Sequence, residues 1–208
     1  MHLPFDAVLC DFDGVIRFYD GAELAELESS FGIEPGTTAR AAFAPHLDGP
    51  ALTGEATVEQ WMDSVVAELA TRIPPEQARK LGDAFASAPF STDQNVLDLL
   101  RHAQTQVPVV LVSNATLRLE EDLDRLGLAY FFDEVVSSAR VGAAKPDPRI
   151  YQIAAERAGA NPQRCLFVDD RAENAEAAVA LGMTGLLYRE VADLQRALAP
   201  LAGRLETD

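Results

Sequence analysis

Short apolar runs that end in polar residues alternate with segments of helical periodicity from residue 91 onward. This alternation is typical of βαβ units, in which helices connect the strands of a parallel sheet. We therefore predict an α/β fold in which a parallel sheet carries helices on both faces. The predicted strands are AVLC (7–10), PVVLVSN (108–114), DEVVSS (133–138), RCLFVDD (164–170) and TGLLYR (184–189).

The segments between these runs begin and end with residues that favour helix termini. STDQNVLDLLRHAQ (91–104) opens on capping residues and continues with helical spacing. Farther along, Asp147 is suited to cap a helix that has Pro148 at its first position. Gly159 is suited to end that helix, because glycine adopts the left-handed conformation at a helix C-terminus.

Residues 17–90 differ from the rest of the chain, because they contain helical stretches and breakers but no convincing strand. The clearest helix is TVEQWMDSVVAEL (57–69), in which Thr57 and Gln60 fit a capping box. A segment this long exceeds the usual connection between two strands. We therefore predict an inserted helical subdomain at 17–90, and a core made of 1–16 and 91–208.

Composition excludes several classes of function. The 208-residue chain is 48% hydrophobic, and its formal net charge of −16 opposes binding to nucleic acid or to an anionic membrane. No apolar run reaches the roughly 20 residues of a membrane-spanning helix. The first residues lack the basic segment of a signal peptide, so we expect a cytoplasmic protein. Cys10 and Cys165 lie in apolar runs and are expected to be buried, reduced thiols.

Polar side chains follow four of the predicted strands, at the points where those strands end. The carboxyl ends of parallel strands meet at one edge of a sheet, which is where open α/β folds bind ligands. We therefore expect these side chains to share one crevice. They are Asp11 and Asp13, Ser113 and Asn114, Lys145 in a following loop, and Asp169 and Asp170.

Four carboxylates in one crevice would repel one another unless a cation balanced them. Mg²⁺ suits this set, since it prefers oxygen ligands and keeps coordination positions for water and phosphate oxygens. Lys145 and Ser113 would then face the remaining phosphate oxygens. The residues thus indicate a site for magnesium and a phosphoryl group.

These residues resemble, in order, the four motifs of the haloacid dehalogenase-like hydrolases. The motifs are Asp11-Phe12-Asp13-Gly14-Val15, Ser113-Asn114, Lys145-Pro146-Asp147-Pro148 and Val168-Asp169-Asp170. The resemblance covers nearly the whole chain, because the helical insertion is similar to the cap of that family. It implies a Rossmann-like core with a helical cap inserted after the first strand. The segment FVDDRAENAEAAVALGMTGLLY (167–188) resembles the phosphatase branch that includes sugar-phosphate and phosphoglycolate phosphatases.

The resemblance also implies a role for each catalytic residue. Asp11 would be the nucleophile that forms an aspartyl-phosphate, and Asp13 the general acid and base. Ser113 and the Asn114 backbone N–H would hold phosphoryl oxygens. Lys145 would neutralise charge and steady the nucleophile.

The metal expected from the resemblance is Mg²⁺, bound by a carboxylate oxygen of Asp11 and the backbone carbonyl of Asp13. Asp170 is the preferred acidic ligand from the fourth motif, with Asp169 sharing the metal or its water shell. Asn174 would support Asp170 from the next helical turn. The expected partner is a small phosphorylated metabolite, and the choice between monomer and homodimer stays open.

Three alternatives remain on the same core. A phosphomutase would use the same residues, a 2-haloacid dehalogenase would have no use for the acid Asp13, and a non-catalytic protein would only bind a phosphorylated ligand. Outside the motifs, we expect Arg17 to be a surface residue rather than a substrate contact. Trp61 is expected to pack within the helical insertion.

Overall fold

The computed structural model describes residues 3–202, and its strands match the predicted alternation. Each run predicted as a strand forms one, and two short strands are added between the first and second of them. The strands are β1 (Ala7–Cys10), β2 (Arg17–Tyr19), β3 (Phe90–Thr92), β4 (Val109–Ser113), β5 (Glu134–Ser137), β6 (Cys165–Asp169) and β7 (Thr184–Leu187).

Five of these strands form a parallel sheet in the order β5-β4-β1-β6-β7. Leu9 at the centre of β1 pairs with Val110 on one side and with Phe167 on the other. Strand β1 is buried along its whole length, as expected for the central strand of a sheet covered on both faces. After β1 the chain adds β4 and β5 on one side of this strand and then β6 and β7 on the other. The crevice at the carboxyl ends lies where the direction changes, beside β1.

Helices cover both faces of the sheet, which confirms the predicted fold class. The helices are α1 (Ala22–Ser30), α2 (Thr37–Ala42), α3 (Pro45–Leu52), α4 (Val58–Leu69), α5 (Pro75–Ala86), α6 (Gln94–Gln104), α7 (Leu119–Arg125), α8 (Ser138–Val141), α9 (Pro148–Arg157), α10 (Ala172–Ala180) and α11 (Val191–Ala202). On one face, Leu100 of α6 and Leu194 of α11 share a core with Leu111. On the other, Tyr151 of α9 packs edge-on against Phe167, with ring centroids 4.9 Å apart.

Helix ends lie where the sequence places them. Asp147 accepts a hydrogen bond from the Arg149 backbone N–H and so caps α9, whose first residue is Pro148. Gly159 follows this helix with a φ of +65°, a conformation that costs glycine little. Both halves of the predicted capping box at the start of α4 are present.

The inserted helices α1 to α5 have a hydrophobic core of their own. Leu24, Val65, Leu69 and Leu81 are buried together there, apart from the two cores that flank the sheet. Trp61 packs against this cluster and donates a hydrogen bond to the Ala42 carbonyl, as expected. The insertion is therefore an α-helical cap, and its boundaries at 17 and 90 remain a prediction.

The absence of a strand from residues 17–90 was a wrong prediction, because β2 and β3 form a two-stranded antiparallel ribbon at the two junctions of the cap. Arg17 pairs with Thr92, and Tyr19 pairs with Phe90. Each strand has three residues, too few for a period of two to be recognised in the sequence. The ribbon joins the cap to the sheet domain at both crossings of the chain.

Two sequence expectations concern location and the ends of the chain. No helix among residues 3–202 is long and apolar enough to cross a membrane. The outermost parts of the predicted core, residues 1–2 and 203–208, lie outside the described residues.

Candidate active site

Lys145 lies between two carboxylates at the carboxyl edge of the sheet. Its Nζ is 2.5 Å from Oδ1 of Asp11, which follows β1, and 2.8 Å from Oδ2 of Asp169, which ends β6. The ammonium group is almost fully shielded from solvent. Three of the motifs singled out in the sequence thus meet at one buried cation.

The electrostatics of this cluster are those of a site with more negative than positive charge. Burial raises the pKa of Asp11, and Asp169 and Asp13 raise it further, while Lys145 offsets part of the effect. Burial alone would lower the pKa of Lys145, but the carboxylates of Asp11 and Asp169 outweigh it and raise this pKa. The lysine is therefore held in its charged form, and its charge does not compensate the whole cluster.

Asn114 fixes the loop that carries Lys145. The Asn114 Oδ1 accepts a hydrogen bond of 2.6 Å from the Lys145 backbone N–H, and the Asn114 Nδ2 donates one of 2.8 Å to the Lys145 carbonyl. One side chain therefore satisfies both backbone groups of the lysine. The sequence predicted a ligand contact for Asn114 but gave no sign of this link between the second and third motifs.

Asp169 is fully buried and is oriented by residues of the following turn. Asn174 Nδ2 donates to both Asp169 carboxylate oxygens, at 2.9 and 3.1 Å, and the Arg171 backbone N–H donates to Oδ1 at 2.9 Å. The expectation that Asn174 supports Asp170 was therefore wrong. The turn after β6 directs the Asn174 amide back toward the strand end, where a buried carboxylate needs donors.

Asp170 is less buried and faces the loop of the first motif. Burial raises its pKa, with Asp169 adding to the effect. The backbone of Gly14 passes directly over the Asp170 carboxylate, so that a side chain on Gly14 would overlap it. Gly14 has a φ of +81°, which glycine adopts without strain.

The donor set fits magnesium. One carboxylate oxygen each from Asp11, Asp169 and Asp170 lies within 4.8 Å of the others, and all three are oxygen ligands of the kind that a hard divalent cation prefers. The raised pKa values of Asp11 and Asp170 also indicate carboxylates that gain from a nearby cation.

Ser113 ends β4 beside β1 and is fully buried. Its hydroxyl has no hydrogen-bond partner among the described residues. An unsatisfied buried hydroxyl costs free energy, so its persistence at this edge favours an oxygen ligand as its partner.

Asp13 has a cation as its partner, and that cation is the Arg17 expected at the surface. Arg17 is only 4% exposed, and its guanidinium donates to both Asp13 carboxylate oxygens, at 2.6 and 3.0 Å. It also donates to Asp122 of α7 at 2.7 Å. The surface assignment of Arg17 was therefore wrong. Asp122 is 105 positions away in sequence, and nothing near Arg17 in the sequence signals it.

The cap lies against this edge of the sheet domain. Gly54, in the turn after α3, packs so closely on the Ala139 carbonyl of α8 that a side chain there would overlap it. Asp48 of α3 is close enough to Arg171, next to the fourth motif, for the arginine to lower its pKa, although burial raises that pKa overall. Part of the cap thus lies beside the helix before the third motif and the turn after the fourth motif.

A family model for haloacid dehalogenase-like hydrolases matches residues 5–182. This match spans all four motifs and the cap. The chain belongs to this family. Phosphatase MT3486 of Mycobacterium tuberculosis is 29% identical over 200 residues, covering 89% of this chain and 88% of the relative. A glyceraldehyde 3-phosphate phosphatase of Methanothermobacter thermautotrophicus is 37% identical over 89 residues, 42% of this chain and 39% of the relative.

Solved structures agree with this membership. A HAD family hydrolase from Deinococcus radiodurans, crystallised with phosphate and sodium, has a TM-score of 0.69 and 26% identity, covering 97% of this chain and 98% of its own. A HAD family enzyme from Bacteroides thetaiotaomicron, in complex with magnesium and inorganic phosphate, has a TM-score of 0.66 and 21% identity over 86% of this chain and 92% of its own. The latter likeness establishes the shared Rossmann-like fold.

Proposed function

We propose that the protein is a magnesium-dependent phosphatase that hydrolyses a small phosphate monoester through an aspartyl-phosphate on Asp11. The observation that carries this proposal is the buried Lys145 between Asp11 and Asp169, beside a third carboxylate within metal-sharing distance. Family membership makes it a hydrolase. Phosphatase names among its relatives support the choice of phosphate monoesters.

Magnesium would be held by Asp11, the Asp13 backbone carbonyl and Asp170, with Asp169 as a further oxygen donor. When bound, it supplies positive charge that offsets the charge of the transferring phosphoryl group. Asp169 already accepts from Lys145, Asn174 and a backbone N–H, which leaves Asp170 the freer ligand.

The first half of the reaction forms a bond between Asp11 and phosphorus. A carboxylate oxygen of Asp11 attacks the phosphorus atom, the bond to the ester oxygen breaks, and Asp13 gives its proton to that leaving oxygen. Lys145 favours the ionised form of Asp11 and holds its carboxylate in place. Ser113 and the Asn114 backbone N–H bind phosphoryl oxygens.

The second half regenerates Asp11. Asp13, now a carboxylate, takes a proton from water as the water oxygen attacks phosphorus, and the bond to Asp11 breaks. Phosphate leaves, and Asp13 is again protonated. The same side chain thus acts first as general acid and then as general base.

Asp13 separates this proposal from dehalogenation, because a halide leaves without needing a proton. A phosphomutase would share every step up to the aspartyl-phosphate and would differ in keeping water out. A cytoplasmic location is part of the proposal and is supported by Cys10 and Cys165, which are buried and free as the sequence predicted.

The test is release of inorganic phosphate from 4-nitrophenyl phosphate and a panel of small sugar and acid phosphates, with Mg²⁺ and with a chelator. We expect magnesium-dependent turnover that Asp11→Asn abolishes. Asp63→Asn, which removes an exposed carboxylate on the cap helix α4, is the matched control and should retain full activity.

Each other outcome points elsewhere. Halide release from 2-haloacids without phosphate release would establish the dehalogenase. Transfer of the phosphoryl group between two positions of a sugar would establish the mutase. Folded protein that binds phosphorylated ligands without turning any of them over would contradict catalysis altogether.

A further inference from the structure

Arg17 carries a complete set of partners in a buried position. Its Nε and one terminal nitrogen donate to the two oxygens of Asp13, and its other terminal nitrogen donates to Asp122. The guanidinium also lies over the Phe12 ring, with its central carbon 4.5 Å from the ring centroid. A buried cation is costly unless it is paired and hydrogen-bonded, and this one is paired twice.

The backbone of Arg17 closes the same loop that holds Asp13. The Arg17 N–H donates to the Phe12 carbonyl at 2.8 Å, and the Arg17 carbonyl accepts from the Gly14 N–H at 2.9 Å. Phe12 is itself fully buried between the two aspartates. Main chain, side chain and ring therefore fix the guanidinium relative to the loop, and the guanidinium in turn fixes the carboxylate.

Arg17 is also anchored outside this loop. Asp122 lies on α7 of the sheet domain, and its carboxylate is mostly shielded. Arg17 begins β2, one strand of the ribbon that leads into the cap. The Asp13 carboxylate is thus tied through one side chain both to a core helix and to the junction with the cap.

We infer that Arg17 is a positioning residue for proton transfer. The two guanidinium nitrogens that donate to Asp13 form a fork, which Asp122 and Phe12 anchor. This fork places the Asp13 carboxylate for donation to the leaving oxygen. This inference rests on the proposed function. Asp13 remains 40% exposed on its side chain. A carboxylate has about four lone-pair positions, of which the fork occupies two. The remaining lone-pair positions can face the leaving oxygen while the pair stays intact.

The role predicts a particular kinetic signature. Without a well-placed acid, negative charge accumulates on the leaving oxygen, and the rate comes to depend strongly on the acidity of the leaving group. The quantity to measure is kcat/KM, because it reports the step in which the leaving group departs. A series of aryl phosphates with leaving groups of increasing pKa gives a slope for each variant.

We expect Arg17→Met to steepen this slope. Its kcat/KM for phenyl phosphate should fall by about 10²-fold, the low end of what general acid catalysis contributes. The fall for 4-nitrophenyl phosphate, whose leaving group needs no proton, should be much smaller. Arg17→Lys keeps the charge but not the fork, so its slope should lie between those of the wild type and Arg17→Met.

Arg125→Met is the matched control. Arg125 approaches Asp122 at 3.8 Å and lies over the Phe90 ring, whereas Arg17 donates the two side-chain hydrogen bonds to the Asp13 carboxylate. Its slope should equal that of the wild type. Asp122→Asn weakens the anchor while leaving Arg17 and Asp13 in place, so it should steepen the slope in the same direction by a smaller amount, even where Arg17→Met proves too unstable to assay.

Equal slopes in wild type, Arg17→Lys and Asp122→Asn would overturn the positioning role, whatever the loss in overall rate. Loss of a merely structural residue would lower kcat/KM by the same factor for every aryl phosphate and leave the slope unchanged. A wild-type slope in Arg17→Lys beside a steep one in Arg17→Met would overturn placement by the fork. A wild-type protein without phosphatase activity contradicts the proposed function itself, which is seen before any variant is compared.

Discussion

Lys145 and Asp169 form an ion pair in which the two side chains are 1% and 0% exposed, with 2.8 Å between Nζ and Oδ2. The same ammonium group contacts Asp11. Removing one partner from a buried pair leaves an uncompensated charge, which costs far more than the pair contributes. Lys145 is therefore expected to matter for folding as well as for activity.

Lys145→Met should lower the free energy of unfolding at pH 7 by about 3–5 kcal/mol, the usual cost of breaking a buried pair. The deficit should shrink as the pH falls from 7 toward about 4, the ordinary pKa of aspartate. Without Lys145 the pKa of Asp11 rises further in the folded state. A carboxyl whose pKa is higher in the folded than in the unfolded state lowers the free energy of unfolding as the pH rises above the unfolded pKa, so the variant recovers stability as the pH falls.

Urea unfolding across this pH range, with and without Mg²⁺, measures the effect of Lys145→Met. Magnesium should stabilise the variant more than the wild type. Lys80→Met, at the other lysine of the chain and in an exposed pair with Glu76, should change stability little. A deficit that is independent of pH would contradict the electrostatic explanation.

Asn174→Ala should weaken magnesium binding through Asp169. The Asn174 amide donates to both Asp169 oxygens, and loss of such an outer partner typically costs roughly 10–100-fold in metal affinity or activity. The magnesium concentration for half-maximal phosphatase activity should rise accordingly, as should the dissociation constant from calorimetry. As the control, Asn95→Ala on the exposed side of α6 should alter neither value. A Mg²⁺ titration of Asn174→Ala that overlays that of the wild type would show that Asp169 does not need the Asn174 amide for magnesium binding.

Gly14→Ala should impair magnesium binding because its methyl group would displace the Asp170 carboxylate. Gly32→Ala provides a matched control: its φ of +75° imposes a similar backbone strain, and no atom lies within 4 Å of the added carbon. Both variants should lose about 1–2 kcal/mol of stability from that strain. Only Gly14→Ala should also require more Mg²⁺ for activity. The same increase in both variants would contradict the role of Asp170 as a metal ligand.

The thiols of Cys10 and Cys165 should be unreactive in the native protein. Burial raises the pKa of Cys10 well above its ordinary value and raises the pKa of Cys165 to about 11. At pH 8 both are therefore protonated and shielded, whereas thiolate is the reactive form. Ellman's reagent should detect two thiols in denaturant and show only slow labelling without it; rapid labelling of either cysteine in folded protein would contradict its burial.

The parts of the fold predicted from sequence are those with local signals. Asp147 and Pro148 mark a helix start, Gly159 marks its end, and the apolar run at 165–168 is a buried strand. Strand ends place Asp11, Ser113 and Asp169 at one edge because parallel strands share a direction. These signals depend only on neighbours in the chain.

The errors involve partners that are distant in sequence or elements that are very short. Arg17 is buried because its third nitrogen donates a hydrogen bond to Asp122, which lies 105 positions away in the sequence. Asn174 bonds to Asp169 rather than Asp170 because the geometry of the turn, not the spacing, directs the amide. The ribbon of β2 and β3 has three residues per strand, which is below the length at which alternation can be read.

The central claim is that Asp11 becomes covalently phosphorylated. Asp13→Asn with 4-nitrophenyl phosphate is the most direct test, because this leaving group departs without an acid while hydrolysis of the intermediate lacks its base. Acid-quenched protein should carry one phosphoryl group, located by peptide mass spectrometry on Asp11, and Asp11→Asn should carry none. Phosphate release by the wild type with no phosphoryl group on Asp11 in the Asp13→Asn protein would contradict the mechanism.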